Sequence, residues 1–343
     1  MFGSIARLIT VLAAAVGTVS ALTIGSAVTF GKGSYPRATK LSDGRLLGTT
    51  SYSDGANMVI MTVISSDNGA SWTTQGEVTR AQGDISNQYL QQLPSGRILI
   101  AFRNHSKDSN GNITLFRITV CSSDDSGKTW AWMSQPASDP AGPNGNWEPL
   151  LRLSTSNVLQ LYYSRENSGT DQDSLLRTST DGGTTWSSSQ IISGANVTQR
   201  DGMIGVTNYG GKNLIAVFET TLNGRFQVWS VTSADDGATW GNRRIVYAPT
   251  AANSNAGAPQ VVIVGSTLVA SFMTDEDSPN GNWPASAAMK IVTSTNQGAS
   301  WGNKATIFSN SPNSYWPGLL ALNSTTFLAL ADRGGSKAKR VTL

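Results

Sequence analysis

Cysteine, histidine and charge are the scarcest features of this 343-residue chain, and each shortage removes a class of function. Cys121 is the only cysteine, so no intrachain disulfide can form and stability must come from an apolar core. His105 is the only histidine, which excludes a zinc centre or a Ser-His-Asp triad unless it is built around that one residue. Any acid–base chemistry therefore falls to carboxylates, and neither a metal nor another cofactor is expected. Charged residues make up only 14% of the chain, and the formal net charge of +3 is dispersed, with no basic run interleaved with aromatics. That argues against a nucleic-acid partner. The short basic stretch Lys337 to Arg340 reads as a solvated strand edge.

Long apolar runs are also missing. The run from Leu8 to Val16 is too short to cross a bilayer, and it lies between Arg7 and the small-x-small sequence Val19-Ser20-Ala21. This is the pattern of a secretory signal peptide over residues 1–21, and it implies an extracellular protein with no membrane anchor. Four Asn-x-Ser/Thr sequons, at Asn104, Asn112, Asn196 and Asn323, permit glycosylation on such a route. No helical periodicity follows. Apolar runs of four to eight residues alternate with Ser, Thr, Asn and Gly, which is a strand pattern.

What the chain has in abundance is one motif, Ser-x-Asp-x-Gly-x-x-Trp. It occurs at Ser65–Trp72, Ser123–Trp130, Ser179–Trp186, Ser233–Trp240 and Ser294–Trp301, the last with Asn296 in place of the acid. The tryptophans are 58, 56, 54 and 61 residues apart, a spacing suited to propeller blades. In each copy the carboxylate can accept backbone N–H groups, the glycine supplies a left-handed turn and the indole folds back over it. These boxes are structural elements of an outer rim. Residues 22–343 divide into six units of about 54 residues, so the fold expected is all-β, a six-bladed β-propeller occupying one domain. No sixth box follows Arg333, so the last blade must borrow a strand, read as Leu22 to Phe30, from the start of the domain. A ring closed in this way buries its own edges and is expected to be monomeric.

Each unit opens on a strand that should line the central channel, and its second strand ends beside that opening. The residues gathered at those points are Arg37, Asn87, Arg103, His105, Glu148, Arg165, Arg200, Asp201, Glu219, Asp275, Tyr315 and Arg333. Charge crowded from every blade is costly without partners, so it forms either a salt-bridge network or a binding site, and convergence at the channel favours a site. Glu148, between Trp147 and Pro149, and Glu219, at the end of the run Leu214 to Phe218, stand out. Two carboxylates flanking one bond can hydrolyse a glycoside, one protonating the leaving oxygen and the other serving as nucleophile or base.

Together the boxes and the ring resemble the sialidase superfamily. Within it the chain is most similar to the fungal exo-1,5-α-L-arabinanases of glycoside hydrolase family 93. The resemblance is carried by Asn146-Trp147-Glu148-Pro149-Leu150-Leu151, by Ala216-Val217-Phe218-Glu219-Thr220, by the 71 residues between the two acids, and by Tyr315-Trp316-Pro317-Gly318. It implies release of arabinobiose from the non-reducing end of linear α-1,5-arabinan with retention of configuration and without a cofactor. It further implies Glu148 as general acid/base, Glu219 as nucleophile and Tyr315 as the group orienting Glu219. Arg37, Asn87, Arg103, His105, Arg165, Arg200, Asp201, Asp275 and Arg333 would hydrogen-bond sugar hydroxyls, with Trp147 or Trp316 offering an apolar face. Segments Ser134–Asn146 and Thr274–Ser286 are candidate walls closing one end of the cleft.

Two alternatives remain. A true sialidase would need three arginines around a substrate carboxylate, and Tyr35-Pro36-Arg37 lacks the usual Arg-Ile-Pro order, while Arg225 and Arg243 are poorly spaced for the middle one. A propeller that binds glycans without cutting them would share the boxes but have no use for Glu148 with Glu219.

Overall fold

The computed structural model describes residues 22–142, 145–221, 224–278 and 282–343. The expected signal peptide lies outside them. Six antiparallel sheets, with strands in sequential order, are arranged as blades, and the first strands of neighbouring blades contact one another in a closed ring. Those inner strands are Ser34–Lys40, Asp84–Gln92, Gly145–Leu153, Gly202–Gly210, Ala256–Val264 and Tyr315–Ala321, numbered here as blades one to six. The core is divided into apolar clusters lying between adjacent blades, such as the one joining Ile60 and Leu47 of blade one to Ile98 and Phe102 of blade two.

The boxes connect the third and fourth strands of blades one to five. In the first, Ser65 Oγ donates to Asp67 Oδ1 at 2.7 Å and accepts the Gly69 N–H at 2.8 Å, while the same carboxylate takes the Ser71 N–H at 2.9 Å. The Ser71 hydroxyl and N–H, with Ser65, hold the Asp67 carboxyl well below its usual range, and Thr129 with Ser123 holds the equivalent Asp125 at about 2. Asn296 keeps the arrangement because its Oδ1 still accepts from Ser294 Oγ at 2.8 Å and from the Ser300 N–H at 3.0 Å. Each box tryptophan packs against an interblade cluster, so the turns anchor the outer strands.

Blade six closes as expected. Its third strand, Ser336–Thr342, pairs antiparallel with Thr23–Ile24 and with Val28–Gly31 from the start of the domain. Phe30 on that returning segment is buried, 4.5 Å from the Trp72 ring and in one cluster with Leu46, Leu328 and Leu330. Cys121 is likewise buried, and burial pushes its thiol up to about 11. One expected wall is corrected. Most of Ser134–Asn146 is strand, since Ala131–Pro140 pairs with its neighbour from Ala131 opposite Ser122 to Pro140 opposite Leu115.

A second repeat lies in the inner strands. Each carries a β-bulge near its start, and the extra residue there has a positive φ although none is glycine: Tyr35, Asn87, Glu148, Met203, Ala258 and Trp316, all between 46° and 55°. The bulge breaks the ladder at the same level in every blade and redirects one side chain there.

Deleting residues 22–31 removes both pairing strands and Phe30, and the melting temperature is expected to fall by roughly 10 °C or more. An unchanged thermal transition by circular dichroism would contradict closure by this segment.

Candidate active site

Glu148 is the bulge residue of blade three. Glu219 ends the second strand of blade four, paired with Gly202. The two carboxylates are close enough for the charge of Glu219 to raise the pKa of Glu148. Their surroundings differ. Glu219 Oε2 accepts the Ala258 N–H, the bulge amide of blade five, at 2.7 Å, and the charge of Arg200 also favours its ionised form. Burial still pushes Glu219 upward, against those two groups. Glu148 Oε2 is buried without a hydrogen-bond partner. Burial first, and the charge of Glu219 second, push Glu148 up to about 8, against the opposing influence of Arg103 and of the Ser164 hydroxyl. A single proton shared by the pair therefore rests on Glu148 near neutral pH.

Gly257 explains how Glu219 fits. A Cβ at that position would lie 2.5 Å from Glu219 Oε2 and 3.2 Å from the Trp283 ring, so only glycine permits the approach.

Trp147, beside Glu148, is clamped from several directions. The His105 ring meets its face edge-on at 4.7 Å, Phe116 packs at 5.9 Å, and the Arg103 guanidinium lies over it at 5.0 Å. Its Nε1–H donates to Glu166 Oε2 at 2.9 Å, and Glu166 in turn pairs with Arg200 at 2.7 Å. One chain of contacts thus runs from Trp147 through Glu166 to the cation that acts on Glu219. Opposite, in blade six, Tyr315 and Trp316 join Tyr35, Met203, Ala258 and Trp283 in an apolar cluster. Tyr35 is close enough for the charge of Glu148 to contribute to a phenol pKa of about 12, though burial is the larger cause. Asn87 completes the bulge ring, with a buried, unpartnered Oδ1.

The structure therefore gathers Glu148, Glu219, Trp147, Asn87, Arg103, Arg200, Tyr315 and Trp316 around one centre. Several other expectations are corrected. His105 is fully buried behind Trp147, where Nε2 meets the Asn146 carbonyl at 2.8 Å and burial lowers its pKa to about 4. Asp201 is buried in a salt bridge with Arg243 and a hydrogen bond from Ser193. Asp275 is buried with Oδ1 on the Asn255 N–H at 2.7 Å. Arg165 pairs with Asp173 and Asn167 away from the carboxylates. Arg333 binds the loop before blade six through Pro312 O at 2.8 Å and Ser314 Oγ at 2.8 Å. Arg37 is buried over the Tyr35 ring at 4.0 Å and donates to Pro36 O at 2.9 Å and Trp316 O at 3.2 Å. The Tyr315 hydroxyl accepts from Asn313 Nδ2 at 2.6 Å, and the direct donor to Glu219 Oε2 is the backbone N–H of Ala258.

Four residues of the centre escaped the sequence reading: Ser164, Glu166, Tyr35 and Trp283. Ser164 and Glu219 occupy the same register position in consecutive blades, opposite Trp147 and Gly202, and each accepts the bulge amide of the next blade. A strand-end alignment built on that register would have found Ser164.

If Glu148 is protonated in the folded state to about pH 8 and its unfolded value is near 4.5, the folded state binds the extra proton between those limits. The contribution is intact below about pH 4.5 and is lost as pH rises through about 8. Glu148→Gln should therefore melt with the wild type at pH 4.5 and above it at pH 9, measured by calorimetry. An equal difference at both pH values would contradict the shift.

Comparison with known proteins fits this geometry. The family model described as BNR repeat-like domain matches residues 132–339. No curated protein matches the chain. Among solved structures, the family 93 α-L-arabinofuranosidase of Fusarium graminearum, bound to arabinobiose, is similar with a TM-score of 0.74 and 22% identity over 93% of this chain and 98% of that one. The α-L-arabinanase of Penicillium chrysogenum, also with arabinobiose, gives 0.68 and 20% over 93% and 98%. The NanB sialidase of Streptococcus pneumoniae gives 0.60 and 12% over 92% and 70%. The six-bladed ring and its repeated boxes agree with the family model, and the chain belongs to the BNR repeat-like domain family.

Proposed function

We propose that this protein is a secreted, retaining exo-α-1,5-L-arabinanase that releases arabinobiose from linear arabinan. The observation that carries the reading is the asymmetry of the two carboxylates. Glu148 is driven toward its neutral form with one oxygen unpartnered, while Glu219 is held by an amide and an arginine. A neutral acid beside a stabilised carboxylate is what a double-displacement hydrolase needs.

In that reaction Glu219 attacks the anomeric carbon while Glu148 passes its proton to the departing glycosidic oxygen. A glycosyl ester on Glu219 results. Glu148, now ionised, takes a proton from water, the hydroxide adds at the anomeric carbon, and the Glu219 carboxylate leaves. Both displacements invert, so the α configuration returns. Tyr315 and Trp316 supply flat apolar faces to a furanose ring, the clamped Trp147 fixes the position of Glu148 beside it, and a sugar hydroxyl meets the unpartnered Asn87 Oδ1.

The likeness to two arabinobiose-bound structures supports the substrate, though it bears on the fold alone at 20–22% identity. The sialidase alternative finds no support in the arginines. Arg37 is buried over Tyr35, Arg243 is taken by Asp201 and Arg333 by loop carbonyls, leaving no trio free to converge on a substrate carboxylate. Asn112, Asn196 and Asn323 are exposed and accessible to glycosylation on a secretory route.

Linear α-1,5-arabinan digested with the purified protein is expected to yield arabinobiose from the earliest time, with the α anomer seen first by proton NMR. A ladder of oligomers would make the enzyme endo-acting, and no product would remove the assignment. Glu148→Gln should lower kcat/KM by about 10²–10⁴ while retaining oligosaccharide binding. Full activity in that variant would refute the role given to Glu148. Gly257→Ala, which presses on Glu219, should cost roughly 100-fold in kcat with the fold intact. Wild-type kcat in that variant would show that the approach of Gly257 does not constrain Glu219.

A further inference from the structure

A cleft of about 730 Å3 runs outward over blade one from Arg103, the residue whose charge also acts on Glu148. Its inner end is formed by Ser34, Ser51, Ser86 and Arg103, which pair as Ser34 with Ser51 and Ser86 with Arg103. This is the tier that in blades three and four supplies Trp147, Ser164 and Glu219. The cleft therefore lies on the same face and at the same level as the two acids, and Arg103 belongs to both. Its volume suits two or three sugar rings.

Small residues line much of the cleft, Gly31, Gly33, Gly334 and Gly335 with Ser34, Ser51 and Ser86. Its outer rim is basic. Lys32 Nζ sits over the Tyr52 ring at 4.2 Å, and Lys337 Nζ donates to Thr29 Oγ1 at 3.1 Å. Among the described residues neither lysine has a carboxylate partner, although nearly every other cation near the channel has one or is enclosed by carbonyls. The acid within the cleft is Asp332, which accepts the Gly335 N–H at 3.2 Å. Arg103 is committed to Asp84 at 2.8 Å. Two ammonium groups thus face a sugar-sized cleft with hydroxyl donors along its length.

We propose that this cleft is an accessory subsite for an anionic stretch of glycan, with Lys32 and Lys337 binding the carboxylates of uronic acid residues joined to the neutral chain. The inference rests on the glycosidase reading for its placement, since it extends the substrate from the catalytic centre. Lys32 precedes the first inner strand and Lys337 lies in the last strand of the chain, so a bound uronide would also bridge the two segments that close the ring. Binding should then raise the melting temperature.

The test uses trigalacturonate and its fully methyl-esterified counterpart, titrated calorimetrically into the full-length wild type and into a Lys32→Gln/Lys337→Gln double variant. The expected result is that the acid binds the wild type roughly tenfold more tightly than the ester, a preference abolished in the double variant and by 0.5 M salt. Equal binding of acid and ester, binding of neither, or a preference for the acid that survives in the double variant would overturn the proposal. Lysine-to-glutamine changes remove the charge and keep a polar, flexible side chain only one atom shorter. A matching unliganded melting temperature shows that lost binding is not lost folding, and a melting temperature raised by the acid only in the wild type is the independent readout. None of these outcomes depends on arabinan turnover, so the subsite and the arabinanase reading fail separately.

Discussion

The structure depends on a constraint repeated six times, a bulge at the mouth of each inner strand occupied by a side chain with positive φ. Left-handed backbone at Tyr35 or Trp316 costs on the order of 1–3 kcal/mol apiece, and it persists only where the surroundings over-determine it. Here the closed ring of inner strands does so. What the strain provides is aim. An ordinary strand would send alternate side chains into the interblade cores, whereas the bulge turns one residue per blade toward the axis and frees an amide for a group on the preceding blade. Met203 gives that amide to Ser164, and Ala258 gives it to Glu219. The same irregularity thus presents Glu148 in blade three and holds the Glu219 carboxylate from blade five.

Chemistry then follows from unequal partners in one apolar enclosure. Two carboxylates so close cannot both ionise cheaply, and the proton settles where compensation is poorest. Glu148 has the charge of Arg103 to oppose its burial and one unpartnered oxygen, while Glu219 has a direct amide. The indole of Trp147 stands between these halves and, through Glu166, fixes the arginine that serves the other acid. The packing of Trp147 and the electrostatic tuning of Glu219 are therefore one piece of structure, and a change at Glu166 would be felt by both.

Much of this was legible in the sequence. The boxes gave the blade count because their chemistry is local, with serine, carboxylate, glycine and indole all contacting one another within eight residues, so spacing alone carried the signal. The missing sixth box likewise pointed to closure by the opening segment. Glu148 and Glu219 were found because a charged residue at the end of an apolar run is conspicuous. Several of the misreadings trace to the register of these strands. A bulge adds a residue to one strand of a pair, and a slip of one residue moves a side chain to the opposite face of a sheet. Counting without bulges selected Arg165 for Ser164 and Arg333 for Asp332, and went two positions too far at His105 and Asp275, where Arg103 and Met273 hold the register. In blade four the count placed Arg200 and Asp201 where Met203 stands. Nothing local announces these bulges, since glycine marks none of them.

The pairing of Thr23–Ile24 and Val28–Gly31 with Ser336–Thr342 also sets an order in time. The earliest stretch of the domain to leave the ribosome meets its partner only when the last strand has been made, so five blades can assemble during synthesis while the sixth cannot. Until then the edges of Thr23–Ile24 and Val28–Gly31 stay open, and the apolar faces of blades one and six that enclose Phe30 stay uncovered. Completion of the ring is a single late step over the longest sequence separation in the protein, and it puts the cost of loop closure at the end of synthesis. A cell making this protein must keep an almost finished propeller from pairing its open edge with another copy until the final residues arrive.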